Sequence, residues 1–423
     1  MNSAYMAGAI FALAYLFFIF LPHRRTLVAI MAAFALIVFR VMTFQDAFWA
    51  VNWNVMGIFV GTLFVANAFM ESRLPAYLAE IIVNRSKNTA ISILLICAMT
   101  GFISAFVENV ATVLIVAPIA LSLAKKLNMN PVKMLIAIAV SSNLQGTATL
   151  IGDPPSMLLG GYAGMNFMDF FFYQGRMSIF FAVQAGALVS FIVLYYIFRD
   201  QKKRVKLEVS EQVRSWVPTV ILVVLIVSLA LSSFLDRGFS YMAGILCMVF
   251  GLACAVWELI VYQKCFFKNI KSLDWETTFF LAGVFVLVGG VTQTGWIDAI
   301  SGVLFHWVGT NVFLAYTLIV FVSVFASAFV DNVPFLAAML PVAVSMSDKL
   351  HINPSLLLFG LLIGASLGGN ITPIGASANI VACGLLKKHG HAVSFKEFFK
   401  IGFPFTLAAV FAAYIFVWVV WGR

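Results

Sequence analysis

Two apolar runs of the chain each contain an acid followed by an asparagine, a pair that could bind ions inside a membrane. The run FVENVATVLIVAP carries Glu108 and Asn109, and the run FVDNVPFLAAMLP carries Asp331 and Asn332 at the matching places. An ionised acid is costly in hydrocarbon, and intramembrane acids commonly mark ion or proton pathways. Ion binding is therefore one interpretation. Capping of the helix that follows is the other, and the two roles are compatible.

Both runs belong to a longer internal repeat with an offset of 223 residues. Residues 102–131 match residues 325–354 at 14 of 30 positions without a gap. The register continues into NLQGTATLIGDPPS (143–156) and SLGGNITPIGASAN (366–379), where Gly, Pro, Thr and Asn interrupt a helical pattern. Broken backbone at membrane depth is tolerated only where protein or a watery cavity satisfies its polar groups. The two breaks therefore predict a binding site.

The predicted substrate- and ion-binding site combines the acid–asparagine pairs with the polar side chains of the breaks, because hard cations prefer oxygen ligands. Its candidate residues are Glu108, Asn109, Ser141, Ser142, Asn143, Thr147, Thr149, Asp153, Asp331, Asn332, Ser366, Asn370, Thr372, Ser377 and Asn379. A sodium site is predicted near Ser104, Asn109, Asn143, Ser327, Asn332 and Ser366. For Asp153, capping of the helix that begins at Pro154 is the alternative role.

The composition predicts an all-α polytopic membrane protein. Of the 423 residues, 63% are hydrophobic and 10% are charged, whereas a soluble protein carries about 25% charged residues. Apolar runs reach the roughly 20 residues that a helix needs to cross a membrane. The first run lacks a preceding basic residue and a cleavage site, so we expect a retained span. Full spans are predicted at 4–21, 26–42, 53–70, 132–157, 177–198, 216–235, 239–261, 275–291, 355–382 and 402–421.

Two further runs, 89–124 and 311–347, have a polar break near the middle. Each half is about 15 to 18 residues long, which is marginal for a crossing. We predict two re-entrant hairpins whose tips lie inside the membrane. Ordinary pairs of spans are the alternative, because both arrangements return the chain to the same side.

The basic residues predict the orientation. If the loops at 22–25, 71–88, 125–133, 199–215, 262–274 and 387–400 face the cytoplasm, they hold 21 of the 26 Lys and Arg residues, as the positive-inside rule requires. Both termini are then external. We predict a first inverted repeat at 1–198, a cytoplasmic linker at 199–215 and a second inverted repeat at 216–423. Each repeat has about five spans, a discontinuous helix (132–157 or 355–382) and one hairpin, which enters from the cytoplasm in the first repeat and from outside in the second.

Several function classes lack support in the sequence. The net charge of +9 is explained by cytoplasmic loops, so no nucleic-acid partner is expected. The five cysteines form no C-x-x-C pair. H-E-x-x-H does not occur and no nucleotide-binding P-loop is present, so we expect no enzyme and no cofactor beyond a coupling ion, sodium or proton. An ATP-driven pump would need a separate ATPase subunit.

The motifs SAFVENVATVLIVAP, TATLIGDPPS and SAFVDNVPFLAAMLP resemble those of the ion transporter superfamily. That superfamily includes divalent anion–sodium symporters, citrate carriers, arsenite permeases, NhaD-type sodium–proton antiporters and the melanosomal P protein. The arsenite-permease and P-protein branch is the most similar. The resemblance implies a homodimer in membrane lipid, with a static scaffold domain and a transport domain that carries both hairpins in an elevator-type movement.

The hairpin tips differ from those of the sodium–dicarboxylate symporters, which carry Ser-Asn-Thr where this chain has Glu108-Asn109-Val110 and Asp331-Asn332-Val333. Two acids repel a dianion unless they are protonated or paired. The sequence therefore predicts an ion-coupled secondary active transporter for a small anion or oxyacid of the arsenite kind, working by alternating access. A sodium–proton antiporter is the alternative, ahead of a channel, a dicarboxylate or citrate symporter, or an intramembrane enzyme. The expected location is a bacterial inner membrane or plasma membrane.

Overall fold

Short connections join a long series of helices in the computed structural model, which describes residues 3–204, 211–236, 238–263, 270–271 and 273–422. Only a small antiparallel β-hairpin, in which Phe172–Tyr173 pairs with Arg176–Met177, departs from the all-α class within these ranges. In chain order the helices are α1 (Ser3–Phe20), α2 (Arg25–Val38), α3 (Phe44–Ala50), α4 (Trp53–Glu71), α5 (Leu74–Arg85), α6 (Thr89–Ser104), α7 (Asn109–Lys126), α8 (Val132–Gly146), α9 (Pro154–Ala163), α10 (Ile179–Phe198), α11 (Val217–Leu235), α12 (Met242–Tyr262), α13 (Trp275–Gln293), α14 (Trp296–Val308), α15 (Val312–Ser327), α16 (Asn332–Leu350), α17 (Pro354–Gly368), α18 (Ser377–Lys388) and α19 (Phe395–Trp421).

Ten helices within the described ranges are long and apolar enough to cross a membrane, so the chain is a multi-pass integral membrane protein. The ten include α7 and α16, which return from the two predicted hairpin tips, with 18 and 19 residues. They do not include α2, which has only 14 residues. The length of α7 and α16 leaves full crossings open, and the re-entrant path of the hairpins stays a prediction.

Six consecutive helices of the first half have counterparts in the second half at offsets of 222 or 223 residues. The paired elements are α4 and α13, α5 and α14, α6 and α15, α7 and α16, α8 and α17, and α9 and α18. Their packing also corresponds, since α6 contacts α8 as α15 contacts α17, and α18 contacts α7 as α9 contacts α16. The helix order thus follows the sequence repeat, while the inversion of one repeat relative to the other stays a prediction.

Several predicted segments differ from the observed ones. The span expected at 26–42 ends at Val38, and Arg40 beyond it has a left-handed φ of 54°. The last span starts at Phe395 instead of residue 402, because Ser394 and Glu397 form a capping box there. The breaks divide the runs 132–157 and 355–382 into separate helices, as the sequence predicts. Helices α3, α5 and α14 occupy segments outside the predicted spans and hairpins.

The broken helices form the centre of the protein. Nearly every residue of α8 and α17 is buried, and both helices carry apolar residues on all sides. The halves interlock around them, because α18 of the second half packs on α7 and α8 while α9 of the first half packs on α16 and α17. A helix that is hydrophobic all round suits such a buried position. Helix α2, which is largely exposed, packs against α13, and α4 packs against α12.

Candidate functional site

Each acid of the repeated motif caps the helix that returns from its hairpin tip. Glu108 precedes α7 and its Oε2 accepts a hydrogen bond of 2.9 Å from the backbone N–H of Ala111. Asp331 precedes α16 and its Oδ1 accepts one of 3.0 Å from Val333. The capping interpretation is therefore correct for both acids. Since one oxygen makes each of these bonds, each carboxylate keeps a second oxygen for another contact.

The two breaks hold the hairpin tips through equivalent threonines. The Thr149 hydroxyl donates to the carbonyl oxygen of Ala105, and the Thr372 hydroxyl donates to that of Ala328 at 2.5 Å. These four residues are related by the 223-residue offset. Carbonyl groups at a hairpin tip have no partner in their own helix, and a buried one would be costly if left unpaired. The threonines satisfy these carbonyl groups and fix each tip to its break.

Three asparagines connect the halves in a buried chain of hydrogen bonds. Asn109 Nδ2 donates to Asn143 Oδ1 at 3.3 Å, and Asn143 Nδ2 donates to Asn370 Oδ1 at 3.1 Å. Asn143 Nδ2 also lies 3.0 Å from the carbonyl oxygen of Ser366, its counterpart in the repeat. Asn370 Nδ2 in turn donates to the carbonyl oxygen of Val140 at 3.1 Å. The counterpart residues 143 and 366 thus meet where the two halves join.

The predicted sodium ligands are partly engaged with one another. Ser104 donates to Asn109 Oδ1, and Ser142 donates to the Ser104 hydroxyl at 2.9 Å. Ser327 donates to the carbonyl oxygen of Ala365. By contrast, the hydroxyl of Ser366 is buried without a hydrogen-bond partner. Within the described ranges, no group of three or more His, Cys, Asp or Glu residues is arranged to hold a metal ion.

Both hairpin tips line one cavity of about 40 Å³. A buried water needs roughly 10 to 15 Å³ on a comparable measure, so the cavity has room for a few waters or a small ion. Six predicted site residues line it, namely Glu108, Asn109, Asn143, Asp153, Asn332 and Ser377. One carboxylate oxygen of Asp153 is buried without a hydrogen-bond partner. The tips therefore converge as the repeat predicts.

A wider vestibule of about 450 Å³ adjoins this cavity and shares several lining residues with it. Asp331 and Ser377 are the predicted residues in its wall, together with Phe329 and Ile374. His23, in the turn between α1 and α2, lies on the same wall. The vestibule thus leads from the cavity towards that turn and towards the beginning of α13.

Three polar residues of the site were not predicted from the sequence. Arg25, the first residue of α2, forms an ion pair with Asp331, and Thr277 of α13 lies 3.4 Å from its Nη2 atom. Asp274 caps α13 by accepting a bond of 2.9 Å from Thr277 N–H. All three line both cavities. The sequence counted Arg25 only as a basic residue of a loop, and its position at the site depends on the packing of α2 on α13, which brings the guanidinium to the hairpin tip.

The other predicted residues lie in the breaks or behind the cavity wall. Asn379 Nδ2 donates to the carbonyl oxygens of Gly369 and Thr372, both at 3.0 Å, and so closes the second break. Thr147 accepts at its carbonyl oxygen from Ser156 at 3.2 Å in the first break. Ser141 is buried on α8. We find Ser141, Ser142, Thr147, Thr149, Ser366, Asn370, Thr372 and Asn379 outside the lining of both cavities.

Carboxylates outnumber cationic groups around the site. Glu108, Asp153 and Asp274 line the 40 Å³ cavity with one guanidinium, that of Arg25, and Asp331 and Glu276 join them in the vestibule. Two unit charges 4 Å apart interact by about 4 kcal/mol at an effective dielectric constant of about 20. One guanidinium cannot balance five ionised carboxylates at such energies. The site therefore attracts a cation or a proton more readily than a free multivalent anion.

Comparison with known proteins gives a family match over most of the chain. The profile of the family described as "Citrate transporter" matches residues 15–364 and 274–423. An uncharacterized transporter of Mycobacterium tuberculosis is 28% identical over 425 positions, covering 98% of this chain and 97% of the relative. The P protein of Mus musculus is 28% identical over 486 positions, covering 95% of this chain and 58% of the P protein.

The fold is similar to that of a solved transporter. The structure of the YdaH transporter of Alcanivorax borkumensis superimposes with a TM-score of 0.63 and 14% sequence identity. The superposition covers 89% of this chain and 86% of the YdaH chain. At this identity the similarity concerns the fold alone.

Proposed function

The chain belongs to the citrate transporter family, and on this premise we propose that it is an ion-coupled secondary active transporter that works by alternating access. Family and fold make it a membrane transporter. The observation that carries the finer proposal is the convergence of two acid-bearing tips on one small cavity. Glu108 and Asp331 would bind the coupling cation, sodium or proton, through the oxygens that capping leaves free.

The unequal exposure of repeat-related residues supports alternating access. Ile374 is 58% exposed and Ile380 is 46% exposed, and both line the vestibule. Their counterparts in the first half, Ile151 and Met157, are only 1% and 3% exposed. Two similar half-structures thus have different access to the surroundings. If the halves exchanged these environments, the site would open towards the opposite face, as in transporters built from inverted repeats.

The excess of carboxylates at the site limits which substrates it can bind. A small weak acid that is neutral when bound, such as an oxyacid of the arsenite kind, would avoid repulsion by the carboxylates. An anion would need a cation bound beside it. A sodium–proton antiporter is the second candidate, because the excess of carboxylates and the volume of about 40 Å³ also suit a small cation as the cargo itself.

The test is transport in proteoliposomes under imposed sodium and proton gradients, with arsenite or citrate present or absent. Glu108→Gln and Asp331→Asn keep side-chain size and capping capacity but remove the charge. We expect each variant to lose at least 90% of gradient-driven transport while it still folds and inserts, because a neutral amide cannot replace a titrating or cation-binding carboxylate.

The matched control is Asp46→Asn. The Asp46 carboxylate also takes part in a helix cap, because it accepts a hydrogen bond of 3.0 Å from the Thr43 N–H in an exposed capping box that lines neither cavity. Wild-type transport is expected in this variant. If Glu108→Gln and Asp331→Asn also retained wild-type transport and wild-type gradient dependence, the two acids would serve only as caps and the proposal would be wrong. Cation exchange without arsenite or citrate would favour the antiporter.

A further inference from the structure

An ion pair connects the second hairpin tip to helices α2 and α13. Arg25 at the start of α2 is paired with Asp331, the cap of α16, and the two side chains are 19% and 25% exposed. The guanidinium also lies over the ring of Phe280, 5.1 Å from its centroid, and within reach of Thr277. Both neighbours belong to α13. Arg25 is therefore held by helices outside the hairpin, while its carboxylate partner belongs to the hairpin.

The first hairpin lacks this tie. Glu108 is the counterpart of Asp331, yet the described part of the chain provides no basic side chain that forms an ion pair with it. Its capping bond to Ala111 resembles the bond that Asp331 makes to Val333. The two tips thus have similar caps, and they differ in whether the acid has a basic partner. Asp331 lines the exposed vestibule and has the ion pair, whereas Glu108 has neither property among the described residues.

Arg25 lies where the vestibule joins the cavity. Its side chain lines both the cavity of about 40 Å³ and the vestibule of about 450 Å³. A cation that moves from the vestibule to the cavity passes between the residues that line both, which include Asp274, Ser377 and the guanidinium of Arg25. Asp331 is reached first on this path, since it lines the vestibule.

We propose that Arg25 is a tethered counter-cation that competes with the coupling cation or proton for Asp331. Binding of the coupling cation would then release the second hairpin from helices α2 and α13. This inference rests on the proposed function. A protonated Asp331 no longer attracts the guanidinium, and a sodium ion bound to it repels the guanidinium. The hairpin can then move with its cation, whereas the empty hairpin stays tied. Arg25 is in this sense a positioning residue that couples movement to cation binding.

The test compares Arg25→Gln with two matched controls, using purified full-length protein. Arg24→Gln removes the neighbouring charge, which is exposed. Tyr15→Phe removes a neutral tie between α1 and the same hairpin, the bond of 2.5 Å from the Tyr15 hydroxyl to the carbonyl oxygen of Pro334. The readouts are cation-dependent thermal stability in detergent and gradient-driven transport in proteoliposomes.

We expect Arg25→Gln to lower the half-saturating concentration of the coupling cation about tenfold, because the internal competitor is gone. Coupled transport should slow at least tenfold, and the leak without cation should rise. Arg25→Lys keeps the charge. Its half-saturating cation concentration, transport rate and leak should lie between those of Arg25→Gln and those of the wild type. Both controls should stay within about twofold of the wild type. A merely structural pair would lower the stability of Arg25→Gln without tightening cation binding.

The charge-swapped double variant, Arg25→Asp with Asp331→Arg, provides an independent test. It can restore the ion pair and the stability, but it places a cation on the moving hairpin, so we expect no coupled transport. Wild-type cation affinity in Arg25→Gln, or coupled transport in the swapped variant, would overturn this inference and leave the proposed function intact. If the wild type responded to neither sodium nor proton gradients, the proposed function would fail instead, and this inference with it.

Discussion

Gly152 and Gly375 let each break lie directly against its hairpin tip. A methyl group at Gly152 would collide with the carbonyl oxygen of Gly146 and approach that of Ala105 to 2.8 Å. A methyl group at Gly375 would lie 2.5 Å from the carbonyl oxygen of Gly369. Backbone atoms surround both positions, so a neighbouring side chain cannot relieve the clash by changing its rotamer. The close approach is what places the breaks and tips around one cavity.

We therefore expect Gly152→Ala and Gly375→Ala to destabilise the protein by about 1 to 3 kcal/mol, the usual range for overpacking. Thermal unfolding in detergent, followed by circular dichroism, measures the change. Gly384→Ala is the control, because this glycine lies in α18 with nothing within 4 Å of an added methyl group. An alanine there should be neutral or slightly stabilising. Equal melting temperatures for all three variants would contradict the close packing.

Among single residues, the sequence predicts those that recur in both repeats and misses those that do not. Glu108 and Asp331 are identified because an acid at the same place in two repeats is difficult to explain otherwise. Arg25 has no such counterpart, and a basic residue next to a loop is ordinarily explained by the positive-inside rule. Its role depends on the packing of α2 against α13, a tertiary contact that no periodicity in the sequence indicates.

At the scale of elements, each hairpin depends on one threonine from the neighbouring break. Replacing Thr149 or Thr372 by valine keeps the shape and leaves the carbonyl oxygen of Ala105 or Ala328 without its donor. Such a loss costs roughly 1 kcal/mol or more. Amide hydrogen exchange in residues 104–112 of Thr149→Val, or 327–335 of Thr372→Val, should therefore rise roughly fivefold to tenfold.

Thr292→Val is the matched control for this prediction. Its hydroxyl bonds the carbonyl oxygen of Val288 within the exposed surface of α13, where that carbonyl already has a helical partner. Exchange at both tips should be unchanged in this variant. Unchanged exchange in Thr149→Val and Thr372→Val as well would show that the tips are held by other contacts.

The sequence predicts the helices better than their boundaries. The breaks in 132–157 and 355–382 are correctly located because Gly and Pro have a direct effect on the backbone. Helices α5 and α14 were missed because their polar positions resemble interfacial loops, although both halves contain one at the same offset. The end of α2 was missed because a left-handed arginine at position 40 has no sequence signature.

For the whole molecule, the distribution of basic residues predicts an external carboxyl terminus and a cytoplasmic linker. In a background without the five natural cysteines, Gly422→Cys should react with a membrane-impermeant maleimide added to intact cells. Lys202→Cys, in the exposed part of the linker, should react only after the membrane is opened. The reverse pattern would invert the orientation and exchange the sides from which the hairpins enter.

The repeat predicts the overall plan, because 14 of 30 matching positions at a fixed offset indicate two related halves. It does not predict how the halves fit together. The pairing of α18 with α7 and α8, and of α9 with α16 and α17, depends on the shapes of buried surfaces. Only the structure shows that Asn143 meets its own counterpart across this junction.

That junction has a consequence for biosynthesis. The Asn143 amide is completed by Ser366 and Asn370, which a ribosome adds more than 220 residues later. At roughly 5 to 20 residues per second, the interval is about 10 to 45 seconds. During this time the nascent first half carries an unfinished polar cluster within the bilayer, where water or an insertion chaperone must accommodate it. A ribosomal pause within the linker would lengthen this exposure, and the yield of inserted protein would fall although every native contact is unchanged.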